Sequence, residues 1–587
     1  MHENSRRRSI ARSSFAMVLS AAAAPALCVE RAEAATEVAE DILVTARRRE
    51  ESAQKVPLAI SVIGGRTLDA TGTFSVARLT QIQPSLTLYS TNPRNTTLNI
   101  RGLGSPFGLA NDGIEQGVGI YVDEVYNSRV AASTFDFVDI ERIEVLRGPQ
   151  GTLYGKNTTA GAISIATRAP SFTPEARAEF TAGNLAFVQA KASVSVPLVD
   201  GRLALRLSGS ATTRKGTIYN VTSRKDVNAL DNKAVRAQFL FRATERLDLT
   251  LSADYNDQDP SCCAQIYVRT GATQRPLSRQ YDALAAAFGY RPPSTDPFAR
   301  LTDLDSDLRA EQQLGGASLR ARWDVGPSTL TSVTAWRFWH WDPSNDRDFT
   351  GLPITTLSQN PSKQQQRTQE LRYAGATGRL DFVVGLFAFH QRLNTSGVQE
   401  QGSAASRWLL DPSSASAHDP AVLNGLRSEN AIRFKNTSLA AFGQIGWRVT
   451  ERLRLQPGLR INYDRKSGSY VATVTTGQGF AVLVPEQRGV LAPQRYSPRF
   501  SAWNVSGDFT LSYDLRPDLL SYATYARGFK SGGINLSGLP LDAANEPILS
   551  AARGQAREGR SFRAGAEEPM VRSTAHGERR SLLDGGG

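Results

Sequence analysis

Gly151, Gly155, Lys156 and Thr158 are the residues whose types could bind a phosphate, with backbone N–H groups cradling it and a lysine reaching over it. Spacing rejects that chemistry. Such a loop needs four residues between its glycines and a Ser or Thr directly after the lysine, whereas three separate Gly151 from Gly155 and Asn157 follows Lys156. No Ser/His/Asp triad or paired-carboxylate site is legible. The five histidines, His2, His340, His390, His418 and His576, are scattered as loop or interface residues would be. Of three cysteines, Cys28 falls in the leader, while Cys262 and Cys263 are adjacent in DQDPSCCAQ. That pair has three readings: a vicinal disulfide, two free thiols, or a bridge to another molecule. With no CxxC, HExxH or EF-hand loop, neither an enzyme nor a bound metal or cofactor is expected.

The elements that position those glycines run over residues 137–170. IERIEVL and GAISIAT read as short strands, with Ile143, Val145, Ile163 and Ile165 alternating against polar or small residues as in half-buried strands. Between them Gly148, Pro149, Gly151, Gly155 and Gly161 turn the chain tightly. The run EVLRGPQGTLYGKNTTAGAI closely resembles the plug-domain signature of TonB-dependent outer-membrane receptors. The resemblance extends over residues 56–170, an α+β domain with strands in VPLAISVIG and VGIYVDEVY, a helical stretch carrying Leu79 and Ile82, and a strand ending at Arg101–Gly102. On that resemblance the plug signature comprises Arg101, Gly102, Glu144, Arg147, Gly148, Pro149, Gly151, Tyr154, Gly155 and Gly161. The Gly-rich loop GLGSPFGLANDGIEQGVG would sit at an outer apex and touch substrate, or be an ordinary loop.

Residues 1–34 read as a secretory signal. Arg6, Arg7, Arg8 and Arg12 precede the apolar run FAMVLSAAAAPAL, and Ala32-Glu33-Ala34 offers a cleavage site. A lipid anchor at Cys28 is disfavoured because Leu27 is not small. Residues 35–55 form a linker in which Asp41, Ile42, Leu43, Val44, Thr45 and Ala46 make a brief β-prone run with no sequence partner nearby. Such a peptide suits strand addition to another protein's sheet. It resembles the TonB box, which implies binding to the periplasmic protein TonB.

From residue 171 to 545 the texture is period-two ladders. Leu247, Leu249, Leu251 and Ala253 alternate with Asp248, Thr250 and Ser252; Val235, Ala237 and Phe239 alternate with Arg236 and Gln238. Each ladder approaches the ~9–11 residues with which a tilted strand crosses a bilayer. Tight turns such as VDGRL, TERLD and TGRLD alternate with long loops at 257–310 and 396–433, the outer-membrane barrel pattern. Trp336, Phe338, Trp339 and Trp341 read as an interfacial girdle. The fold class expected is therefore a membrane all-β protein, an antiparallel transmembrane β-barrel around an N-terminal α+β plug. Mean hydropathy of −0.31 excludes only a helical membrane protein. The net charge of +12 comes from scattered arginines rather than a basic stripe, so nucleic acid is not an expected partner.

Beyond residue 545 alternation stops and Arg, Gly and Ala dominate. Residues 546–587 read as a disordered, non-family tail such as a frameshift would produce. The ladders number roughly thirteen against the ~22 of plugged transporters. The sheet is then expected to be incomplete, and the chain not to run as a heat-modifiable barrel. The resemblance implies energy-coupled uptake of a ferric siderophore across the outer membrane of a Gram-negative bacterium, with partners TonB and its inner-membrane energising complex. Outer-membrane lipid and lipopolysaccharide would surround it. Lumen arginines such as Arg236, Arg454 and Arg460 would meet an anionic ferric chelate, lipopolysaccharide, or acidic residues of the plug. The alternatives are a receptor for vitamin B12, carbohydrate or aromatic compounds, a passive porin, and an inactive truncated product.

Overall fold

The computed structural model of the protein describes residues 43–49, 51–104, 111–477, 480–516, 519–554 and 557–567. The leader with Cys28, Asp41 and Ile42 of the β-prone run, and residues 568–587 lie outside the described residues. Among the described residues no helix is long and apolar enough to cross a membrane.

The plug is a five-stranded sheet in the order Ile60–Gly64, Ile140–Arg147, Gly161–Thr167, Val118–Val122, Val125–Asn127. Helices Gly65–Ala70 and Val76–Ile82 cover one face. Leu68, Val76, Leu79, Ile120, Ile143, Val145, Ile163 and Ile165 share the core between helices and sheet. The expectation of half-buried strands is corrected here. Leu146 and Ala162, on the opposite face, are also fully buried, packed with Tyr126, Val383, Phe389 and Phe442 of a second cluster. Strands wrapped inside another sheet have no solvent face to leave polar.

The second sheet is an antiparallel path of fourteen strands, from Glu175–Gly183 to Arg557–Glu567, with two short strands pairing off it. Sequential neighbours pair throughout, as tight turns at one end demand. Outward-facing Leu251, Leu319, Leu386, Leu439, Ile461 and Phe509 are all exposed large hydrophobics, while their alternates Gln312, Gln366, Arg460, Asn462 and Ser506 are buried. That inversion, apolar out and polar in, is the signature of a wall that faces lipid and encloses a polar interior. The strands Leu380–Gln401 and Arg427–Arg448 have 22 residues each, so the ladders continue into what the sequence reads as loop 396–433.

Two further corrections follow from strand parity and pairing. Trp336 faces outward as an interfacial residue, but Trp339 and Trp341 point inward and are 0% and 2% exposed. The sheet also continues beyond residue 545. Arg557–Glu567 pairs with Leu519–Lys530 over eleven residues, putting Phe562 outside and Arg563 inside. An Arg/Gly/Ala composition hides the alternation, and a preformed neighbouring edge supplies the hydrogen bonds that propensity alone does not.

Candidate functional site

Seven of the ten plug-signature residues lie on the stretch from Glu144 to Gly155, and most touch the barrel. Gly155 has φ +85°, and a Cβ there would stand 2.7 Å from the Arg460 guanidinium. Arg460 itself lies over the rings of Phe387 and Phe442 at 5.4 and 5.0 Å, and its Nε donates to Asn462 Oδ1 at 2.7 Å. The barrel strand places Arg563 directly against Gly148, and Ser506 Oγ donates to the Gly151 carbonyl at 3.0 Å. Pro149 packs on Gly528. The Tyr154 carbonyl accepts from Tyr121 Oη at 2.5 Å. Arg147 donates to the Ile60 carbonyl at 3.3 Å, within the plug. Arg101 and Gly102 form the turn between Ile100 and Leu103, away from these contacts. Gly161 is set against the Leu146 carbonyl, where a Cβ would stand at 2.1 Å. The loop is thus a docking face for barrel side chains.

Beneath the plug, at the tight-turn end, lies the N-terminal segment. Leu43–Val44 pairs antiparallel with Glu51–Ser52, so the run is the first arm of a hairpin and not an isolated peptide. Val44 and Ala46 are buried in the plug–barrel cluster, while Leu43 is exposed. The Thr45 N–H and Oγ1 donate to Glu144 Oε1 at 2.9 and 3.1 Å, and Arg142 Nε holds the same oxygen at 2.9 Å. Arg47 donates to Gln456 of the barrel at 2.6 Å and to Glu51 at 2.9 Å. Arg48 lies 4.4 Å from the Tyr154 ring centroid and 3.8 Å from Glu370. The segment therefore bridges plug and wall. Its key contact, Glu144, accepts three hydrogen bonds, each to a charged group and so on the order of 1.5–3 kcal/mol. Glu144→Ala is expected to speed amide exchange at Thr45 by about tenfold or more and to expose Arg47–Arg49 to trypsin. Unchanged exchange at Thr45 would show that Glu144 does not hold the segment.

At the long-loop end the plug presents Asp112 and Glu115. Asp112 takes Arg94 at 2.8 Å, Arg129 at 2.9 Å and Thr395 Oγ1 at 3.0 Å. Glu115 takes Lys156 at 3.0 Å and Lys466 at 2.5 Å, and Lys156 also reaches Asp464 at 3.3 Å. Burial by itself would raise the Glu115 carboxyl, but the ammonium groups of Lys156 and Lys466 overcome it and hold it well below the usual carboxylate range. Burial likewise opposes the charge on Lys156, and Glu115 and Asp464 outweigh it, raising its pKa.

Beside these charges a packed apolar cluster joins plug and wall. Trp339 and Trp341 stack at 6.3 Å, Tyr470 and Tyr496 at 5.1 Å, and Arg129 lies 5.2 Å from the Trp339 centroid. Ile534, Leu536 and Leu539, from the loop after Leu519–Lys530, pack into it. Gly113 has no room for a side chain because the Ile534 carbonyl would lie 2.0 Å from its Cβ. Cys262 and Cys263, joined as a vicinal disulfide, pack against the edge of the cluster. None of Glu115, Arg129, Lys466, Trp339 or Tyr496 stands out in the sequence as a site residue. Their only common signal is that each barrel member falls on the inward parity of its ladder.

The lumen arginines are already engaged. Arg236 pairs with Asp123 of the plug and with Asp254, Arg454 with Asp381, and Arg460 with rings and Asn462.

Two family models match the chain: the TonB-dependent Receptor Plug Domain over residues 52–162, and the TonB dependent receptor-like beta-barrel over residues 264–565. The pesticin receptor of Yersinia pestis is 25% identical over 501 residues, covering 84% of this chain and 64% of the relative. The vitamin B12 transporter BtuB of Photobacterium profundum is 28% identical over 250 residues, 41% of this chain and 39% of the relative. The crystal structure of the ferric yersiniabactin uptake receptor FyuA from Yersinia pestis superposes with a TM-score of 0.69 at 20% identity, covering 88% of this chain and 70% of that one. At that identity the likeness carries the fold alone. The chain spans about 64% of the length of the pesticin receptors it matches. The barrel model covers just over half of the 587 residues, and with the plug model ahead of it the chain belongs to the TonB-dependent receptors, barrel proteins of the Gram-negative outer membrane.

Proposed function

We propose that this chain serves energy-coupled uptake of a ferric siderophore, with TonB engaging the segment that contains Leu43–Ala46. The observation that carries the cargo reading is the match of the chain to the plug and barrel models of the TonB-dependent receptors. The relatives named for ferric yersiniabactin and pesticin support the same class. Iron is cargo here, and catalysis has no part in the reading. On the opposite side Thr45 hangs on Glu144, a strand that runs directly into the glycine loop facing Arg460 and Arg563. A pull on the segment would load that strand first.

The test is uptake of radiolabelled iron as a ferric siderophore by iron-limited cells carrying this chain as their sole receptor, with and without TonB. Uptake that requires TonB is the expected result. Uptake persisting without TonB would make the protein a passive pore, and cobalamin uptake in place of iron would assign it to the vitamin B12 class. Absence of any uptake would mark an inactive product.

A further inference from the structure

The adjacent pair Cys262 and Cys263 has no part in the uptake proposed above, and no other cysteine lies among the described residues. Joined to each other, the two stand at the root of the long loop 257–310, where separate segments of the chain meet. Asn228, at φ +63° between the strands Lys225–Val227 and Leu230–Thr244, grips this root with both backbone and side chain. Its N–H donates to the Ser261 carbonyl at 2.6 Å. Its Nδ2 donates to the Ala264 carbonyl at 2.9 Å, and its Oδ1 accepts from the Ala264 N–H at 2.8 Å. Thr302 Oγ1 donates to the Gln265 carbonyl at 3.0 Å, and the Ala310 N–H to the Pro260 carbonyl at 3.3 Å. Each of these bonds lands on residues 260–265, the immediate neighbours of the disulfide.

On its inner side the root touches the plug. Gln258 Nε2 donates to the Thr134 carbonyl at 3.1 Å, and Gln312 Nε2 donates to Gln258 Oε1 at 2.6 Å and to Thr134 Oγ1 at 2.9 Å. On its outer side the loop carries Tyr267 and Tyr281, stacked at 5.2 Å, and Tyr281 meets Trp408 of the helix Ala405–Leu409 edge-on at 5.8 Å. A change of shape at 260–265 is thus placed between a plug contact below and a seam of outer loops above. Both cysteines are half-buried rather than sealed in a core. A disulfide within reach of solvent thiols is the labile kind, whereas fully buried structural bridges resist exchange.

We infer that Cys262 and Cys263 form a redox switch for the outer loop: joined, they hold the root of residues 257–310 in one shape, and a small extracellular dithiol releases it. One thiolate of the dithiol attacks a cysteine sulfur and displaces the other cysteine as thiolate; the second thiol of the reductant then resolves the mixed disulfide. The protein's S–S bond breaks, the reductant's S–S bond forms, and the two protons of the dithiol end on Cys262 and Cys263. Two electrons pass from reductant to protein. The bond that opens had tied neighbouring residues into a small ring, so reduction frees backbone directly between Ser261 and Ala264, where Asn228 grips. A local covalent change is thereby read out as the order of a whole loop. The switch rests on the place of the pair in the loop and is independent of cargo and of TonB, so failed uptake would leave it standing.

The test uses the full chain in detergent micelles with dithiothreitol as the reductant, and reads iodoacetamide labelling and amide exchange by mass spectrometry on separate aliquots. Millimolar dithiothreitol should open Cys262 and Cys263 to labelling in the folded protein. Exchange over residues 260–265 and 301–310 should then quicken about tenfold or more, while the plug strand Ile140–Arg147 keeps its protection. Reoxidation with diamide should restore slow exchange. Cys262→Ser/Cys263→Ser should exchange rapidly at the same segments with or without dithiothreitol, and far-UV circular dichroism reports its fold. Oxidised against reduced wild type decides the matter even where the serine variant does not fold. The inference is overturned by labelling before any reductant, by cysteines that stay unlabelled in the folded protein, or by labelled protein whose exchange at 260–265 and 301–310 stays slow. Equal quickening in Ile140–Arg147, or the same response to dithiothreitol in the serine variant, would overturn it as well.

Discussion

Glu115→Gln is expected to be among the most damaging single changes in the protein, lowering its stability by about 3–5 kcal/mol. Glu115 lies between Lys156 of the plug and Lys466 of the wall, with Asp464 completing the group; all four are buried. Two ammonium groups and two carboxylates balance. Glutamine leaves two buried cations facing one carboxylate, and an unpaired buried charge costs more than the pair ever contributed. Denaturant unfolding and limited proteolysis of the plug read the loss. Glu115→Gln/Lys466→Met restores the count to one cation and one carboxylate and should recover most of it. An unchanged midpoint for the single variant would show that the group is hydrated and its charges screened.

The same group sets a pH window. Because the Glu115 carboxyl is depressed, its stabilisation is complete above the unfolded value of ~4.3 and is lost as pH falls through the lower folded value. Because Lys156 is raised, its share is complete below ~10.4 and is lost as pH rises beyond that through the folded value. Plug docking should accordingly be flat with pH across the neutral range, and Glu115→Gln should shrink the acid limb without abolishing it, because Asp112 and Glu124 of the plug are depressed by their arginine partners as well.

Gly155→Val is expected to cost about 2–6 kcal/mol, from two separable sources. The backbone at φ +85° strains any residue with a Cβ by ~1–3 kcal/mol. The new side chain must also move Arg460, whose guanidinium is 2.7 Å from the Cβ position and is held by two rings and Asn462, an overpacking cost of ~1–3 kcal/mol. Gly72 provides the control: at φ +61° nothing lies within 4 Å of its Cβ position. Gly72→Ala should show the backbone term alone, and the excess in Gly155→Ala measures the contact with Arg460. Arg460→Met should relieve that excess in the Gly155→Ala background. Equal midpoints for the two alanine variants would show that Arg460 yields freely and does not clamp the loop.

The sequence by itself determined the plug, the ladders and the polarity of the wall, because period-two alternation and a glycine-punctuated signature are local properties. It also determined that Trp339 and Trp341 share one parity and Trp336 and Phe338 the other. Which parity faces the lumen was decided by the wrapped sheet, since a one-residue change of register exchanges every side chain between faces. Composition also concealed the strand Arg557–Glu567, which forms because Leu519–Lys530 presents an unpaired edge to it.

The site partners lay further out of reach. Glu115 and Lys466 are 351 positions apart, and Gly148 meets Arg563 only because the last described strand closes against the plug loop. The glycine-rich signature at 144–155 was legible as a turn-forming piece of plug. Its meaning as the surface on which barrel arginines rest was not. Backbone turns are dictated by the residues that make them, whereas a buried charge is dictated by whatever the fold brings to its side.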